Sequence, residues 1–261
     1  MRSLALALAA LGLAAATPAA AQLRPPSGGH GVGDYSLHDF AAKWMMQLDD
    51  IPELSRYAQA NRALLANPDP RPRVVFIGDS ITDNWTSIAA RSDTNVLWIN
   101  RGISGSNTSQ MLLRFEDDAI GLTPKVIVIM GGTNDLRAYA GTPDSVADGA
   151  FARVKRNLTA MADIAAGRGV RVVLCAVPPV GRDTDRIARD PQGVARINAW
   201  IAEFARARGL GFVDYGVVLA DGEGHMKPEL SPDGIHPNDA GYRLMLPLID
   251  AAVARAQGGR P

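Results

Sequence analysis

The chain has 261 residues, 47% hydrophobic and 21% charged, and its 27 basic and 27 acidic side chains cancel to a formal charge of zero. That composition suits a globular domain long enough to bury a substantial core. With no basic run and no polybasic amphipathic segment, it argues against nucleic acid as a partner and against stable membrane insertion.

In chain order, Arg2 precedes an apolar run, Leu4 to Ala16, that is too short to span a bilayer comfortably. Ala19-Ala20-Ala21 then supplies small residues for cleavage before Gln22. The pattern predicts a signal peptide over 1–21 and an exported protein, periplasmic or secreted. Residues 22–34, rich in Pro and Gly, read as a flexible tether, and 35–261 as one domain. Cys175 is the only cysteine; no intrachain disulfide can form, and its apolar surroundings predict a buried thiol.

Residues 37–65 carry helical patterning that Pro68-Asp69-Pro70 ends. From there, strands and helices alternate. Strands are expected at 74–77, 96–100, 125–130, 171–177 and 211–214. Helices are expected at 107–115, 145–166, 191–208 and 238–254, the last kinked at Pro247. Such alternation makes βαβ units and a parallel sheet covered on both faces, an α/β class.

In a parallel sheet, sites form beyond the carboxyl ends of the strands, so the residues following each strand matter most. After the first come Gly78-Asp79-Ser80, which place a hydroxyl at the sheet edge where a helix would begin. After the second, Arg101 to Thr108 form a Gly-rich turn presenting backbone N–H groups. After the third, Gly132-Thr133-Asn134-Asp135 can point the Asn134 amide back over the sheet. Late in the chain, Asp233-Gly234-Ile235-His236-Pro237 brings a carboxylate and an imidazole within three residues, where the acid can fix the ring's tautomer. His30, His38 and His225 have no such context.

These groups are what acyl transfer requires. Ser80 would attack a carbonyl, His236 would take and return its proton, and Asp233 would orient the ring. The backbone N–H groups of Ser80 and Gly105 and the side-chain amide of Asn134 would hold the oxyanion. Asp79 and Asp135 are expected to steady the loops. Trp85 reads either as a substrate-pocket wall or as packing. Arg101 reads either as a contact for an anionic leaving group or as an ordinary surface charge. The polar loop 178–191 is either a specificity loop or a solvated face.

At these blocks, over residues 73–248, the chain resembles the SGNH (GDSL) hydrolases, in particular the bacterial branch similar to platelet-activating-factor acetylhydrolase and lysophospholipase L1-type esterases. One departure is Ser106, where many relatives carry an acid. The resemblance implies a three-layer, flavodoxin-like α/β/α fold with strand order 2-1-3-4-5. It also implies a serine esterase acting on small-molecule esters without metal or organic cofactor. Short acyl groups such as acetyl are expected, since no long apolar insertion could form a lid or acyl channel. Lysophospholipids and thioesters would use the same chemistry. A non-catalytic ligand-binding module would have lost Ser80, Asn134 or His236, and a phosphate site would show a P-loop pattern. Neither condition is met.

Overall fold

The computed structural model describes residues 50–91, 95–137, 144–182, 189 and 191–258. The expected signal peptide and tether lie outside the described residues, as does half of the polar loop after the fourth strand.

Helix α1 (Ser55–Ala66) leads into β1 (Arg73–Gly78), the single turns α2 (Ser80–Asp83) and α3 (Thr86–Ala89), and β2 (Leu97–Gly102). Next come α4 (Thr108–Leu113), α5 (Phe115–Asp118), β3 (Val126–Met130), α6 (Asp144–Gly167) and β4 (Arg171–Cys175). The chain continues through α7 (Pro191–Arg208), β5 (Gly211–Val213), α8 (Gly216–Leu219) and α9 (Asp239–Ala256). All five strands are parallel, in the order β2-β1-β3-β4-β5, as the resemblance implied.

Strand side chains alternate between faces, and the sequence uses both. Val75, Ile77, Ile127, Ile129 and Leu174 meet Met111, Phe115, Leu158 and Ile201 on one side. Val74, Phe76, Val128 and Val173 meet Trp85, Tyr215, Tyr242, Met245 and Ile249 on the other. Runs such as Val126–Met130 are buried throughout because helices cover both faces.

Some boundaries differ from the expected ones. β2 continues to Gly102 because Arg101 and Gly102 pair with Ile77 and Gly78. The helix expected at 107–115 divides at Arg114, whose backbone (φ −98°, ψ 6°) leaves the helical region. α9 runs through Pro247 to Ala256. Among the described residues no helix is long and apolar enough to cross a membrane.

Candidate active site

The loops after β1, β2 and β3 leave adjacent strands in the same direction, with Gly78 paired to both Gly102 and Met130. Ser80 opens α2, and Asp79 caps it by accepting the Ile81 N–H (3.0 Å). A single turn sums few peptide dipoles, so the field expected of a full helix is small here and Ser80 depends on its neighbours. The turn is clamped from three sides. Asn100 Nδ2 donates to Thr82 O (2.6 Å), Tyr242 Oη donates to Ile81 O (2.8 Å), and the backbone presses on Gly102, where a Cβ would lie 2.1 Å from Asp83 N. Only glycine admits that approach.

Asp83, in the same turn as the Ser80 hydroxyl, reaches across to the next loop. Its Oδ2 accepts both Ser104 Oγ (2.7 Å) and Ser104 N (3.2 Å). Gly105 follows with φ +87°, the left-handed region that glycine occupies freely. Asn134 Nδ2 donates to Ser106 O (3.0 Å), tying the third loop to the second and leaving one amide N–H for the site. Among the described residues, the backbone N–H groups of Ser80 and Gly105 find no acceptor. Asp135 steadies the same junction, accepting Thr108 N (2.9 Å) and Thr108 Oγ1 (2.7 Å).

The loop before α9 brings the remaining groups. His236 Nε2 lies 2.8 Å from Ser80 Oγ, and His236 Nδ1 lies 2.6 Å from Asp233 Oδ2. The other oxygen, Asp233 Oδ1, accepts the backbone N–H groups of Ile235 (2.9 Å) and His236 (2.8 Å) and is approached by Ser231 Oγ (3.2 Å). Partial burial works to raise the Asp233 pKa. The hydrogen bonds from His236 and Ile235 outweigh it and hold the carboxyl well below the usual carboxylate range. The loop is braced from the β4 side, where Gly181 N donates to Gly234 O (2.6 Å). An ionised carboxylate on Nδ1 puts the ring proton there and leaves Nε2 free to accept from the serine.

Residues 76–244 match the GDSL-like lipase/acylhydrolase family. The chain belongs to this family of ester hydrolases. It is similar to a GDSL-like lipase from Bacteroides thetaiotaomicron, with 34% identity over 79% of this chain and 100% of that one, at a TM-score of 0.68. A candidate platelet-activating-factor protein from Streptococcus pneumoniae (24% identity, 81% and 98% coverage, TM-score 0.63) shares the fold. So does an acetylxylan esterase from Geobacillus stearothermophilus (18% identity, 72% and 95% coverage, TM-score 0.54). No curated protein matches the sequence.

Within this GDSL acylhydrolase, Trp85, read as a substrate-pocket wall or as packing, is packed in the core, and Arg101, read as a leaving-group contact or a surface charge, is buried. Trp85 is 1% exposed, stacked on Tyr242 (centroids 5.3 Å apart) and edge-on to Phe76 and Tyr215. Arg101 is 8% exposed, over the Tyr57 ring, and donates to Asn61 Oδ1 (2.8 Å) and Asn100 O (2.8 Å). Their residue types suited a pocket, but their strand and turn positions turn them inward. Sequence reasoning also missed three arginines. Arg114, wholly buried, donates Nη1 to Arg101 O (2.7 Å) and Nη2 to Gly78 O (2.9 Å), so it holds the strand ends from which two site loops depart. Arg137 and Arg189 both reach the Asn134 side chain. For Arg114 a signal existed in its i,i+4 spacing to Asp118. For Arg189 there was none.

Asp79 is sealed into the tightly packed turn that carries Ser80. It is 1% exposed, and its Oδ2 has no hydrogen-bond partner among the described residues. Burial lifts its pKa from 3.8 to about 6, against the opposing pull of the Ile81 N–H and His236. A carboxyl raised on folding favours the folded state below about pH 4, and that contribution is lost as pH rises through 6. The uncharged Asp79→Asn variant escapes this loss. Its stability relative to the parent is expected to improve by up to about 3 kcal/mol between pH 4 and pH 8. Melting curves at pH 4.5, 6 and 8 check this, and a pH-independent offset would refute it.

Proposed function

We propose that the protein is an exported serine esterase that cleaves short-chain carboxylic esters, such as acetyl esters of carbohydrates or small alcohols, through an acyl-enzyme. The observation that carries the reading is the continuous relay from Ser80 Oγ through His236 to Asp233, at 2.8 and 2.6 Å. His236 Nε2 accepts the Ser80 proton as Oγ bonds to the carbonyl carbon. The resulting oxyanion receives hydrogen bonds from Ser80 N–H, Gly105 N–H and the free Asn134 Nδ2–H. His236 then gives its proton to the leaving oxygen, the alcohol departs, and the acyl group remains on Ser80. Water, deprotonated by His236, attacks this ester in turn and releases the carboxylic acid, and Ser80 recovers its proton.

The short-acyl preference draws support from the fold shared with an acetylxylan esterase and from the absence of any long apolar insertion in the sequence. Export rests on the signal-peptide pattern of residues 1–21. N-terminal sequencing of the protein recovered outside the cytoplasm is expected to begin at Gln22.

A fluorophosphonate probe tests the chemistry. The adduct is expected on Ser80 by mass spectrometry and should be suppressed in Ser80→Ala and His236→Ala. Protein that neither labels nor turns over p-nitrophenyl acetate would sink the reading. Across p-nitrophenyl esters of rising length, kcat/KM is expected to peak at acetyl to butyryl, and a maximum at long chains would refute the substrate class.

A further inference from the structure

We infer that Arg137 and Arg189 are positioning residues for the oxyanion site, acting through the Asn134 side chain; this rests on the serine-esterase reading above. Arg137 Nη2 donates to Asn134 Oδ1 at 2.7 Å, and Arg189 Nη2 approaches the same oxygen at 3.3 Å. Arg189 is 9% exposed and also donates Nε to Thr133 O (3.0 Å), so it grips the peptide just before Asn134 as well as its side chain. The backbones of residues 137 and 189 form an antiparallel bridge. The loop after β4 is thereby fastened to the loop after β3 at the amide that faces the site.

Two consequences follow from donor and acceptor chemistry. First, the amide orientation is enforced. Ser106 O can only accept, and it takes one Nδ2–H at 3.0 Å. The guanidinium groups can only donate, and they converge on Oδ1. Rotating the amide by 180° would set Oδ1 against a carbonyl oxygen and Nδ2 against two cations, losing every one of these hydrogen bonds. The second Nδ2–H is therefore held as the donor toward the substrate oxyanion. Second, charged donors on Oδ1 polarise the amide and strengthen that N–H as a donor. This gain is realised only when negative charge develops on the substrate oxygen, so it belongs to kcat rather than to ground-state binding.

The residues were not legible as a unit because Arg189 lies 55 positions from Asn134 in a polar loop whose charges read as solvated. A positioning role through Asn134 differs from a general stabilising one in a double-mutant cycle. With p-nitrophenyl acetate, Arg137→Met and Arg189→Met are each expected to lower kcat about tenfold or more, with KM changed less than about threefold. Arg189→Lys, which keeps one charged donor, should recover part of the loss. Asn134→Ala alone is expected to cost about 10²- to 10³-fold, and adding Arg137→Met to it should cost nothing further. Unchanged kcat in the folded arginine variants, or losses that multiply in the Asn134→Ala background, would overturn the inference. If Arg189→Met fails to fold, Arg137→Met, at a less buried position, carries the test alone. Ser80→Ala assayed in parallel separates the two claims. Retained turnover there defeats the esterase mechanism itself, whereas its loss alongside a multiplicative cycle defeats only the arginine assignment.

Discussion

Asp233→Asn is expected to lower kcat for p-nitrophenyl acetate by about 10⁴-fold while the protein stays folded. The loop geometry explains why the two effects separate. The Oδ1 atom that accepts from Ile235 N and His236 N persists in asparagine, so the turn keeps its hydrogen bonds. The atom facing His236 Nδ1 changes from an acceptor to an N–H donor. The ring then carries its proton on Nε2, pointing at Ser80, and has nothing with which to accept the serine proton. The charge that stabilises the imidazolium also disappears. Steady-state kinetics with the rate of fluorophosphonate labelling reads the loss, and a thermal melt close to that of the parent shows that the fold survives. Retention of more than about a tenth of the activity would remove Asp233 from the mechanism.

The largest stability effect is expected at a buried ion pair beneath the site loops. Arg114 and Asp118 are both wholly buried, 3.1 Å apart, with Asn61 Nδ2 on the far carboxylate oxygen (2.8 Å). Arg114→Met strands the Asp118 charge and leaves the carbonyls of Arg101 and Gly78 without their shared donor. Breaking a buried pair from one side costs about 3–5 kcal/mol, which for a domain of this size lowers the melting temperature by roughly 6–20 °C. Adding Asp118→Leu should recover part of the loss, because the orphaned charge goes with it. A melt of Arg114→Met that matches the parent would show that the pair contributes nothing to the fold. Esterase activity at low temperature should fall as well, since the same guanidinium holds the ends of β1 and β2.

The sheet was legible because its strands are short apolar runs separated by long helical periods, and the site because each of its groups follows a strand or opens a helix. Ser80, Asn134, Asp233 and His236 are all read from local pattern, and no long-range information is needed to see that glycine-rich turns end the strands. Trp85, Arg101, Arg114 and Arg189 were not legible in this way. Whether a long side chain turns into the core or out to solvent depends on partners distant in the chain, such as Tyr242 for Trp85 and Thr133 for Arg189. A buried guanidinium such as that of Arg189 gives no sign of itself in a window of neighbours, and Arg114 shows itself only through its i,i+4 acid, Asp118. The single-turn length of α2 was equally hidden, because it is set by Asn100, Tyr242 and the close approach at Gly102.

The contact between Gly181 and Gly234 joins two loops that belong to different strands. A Cβ at Gly181 would stand 2.7 Å from Gly234 Cα, so the main chains touch with no room for a side chain between them. The half of the candidate centre bearing Ser80 is fastened to β1 and β2, while the half bearing His236 leans on the loop that follows β4. A designer who transplants that loop from a relative to alter substrate choice therefore also resets the seat of the imidazole. The two glycines should be moved as a pair, or the graft will change turnover before it changes selectivity.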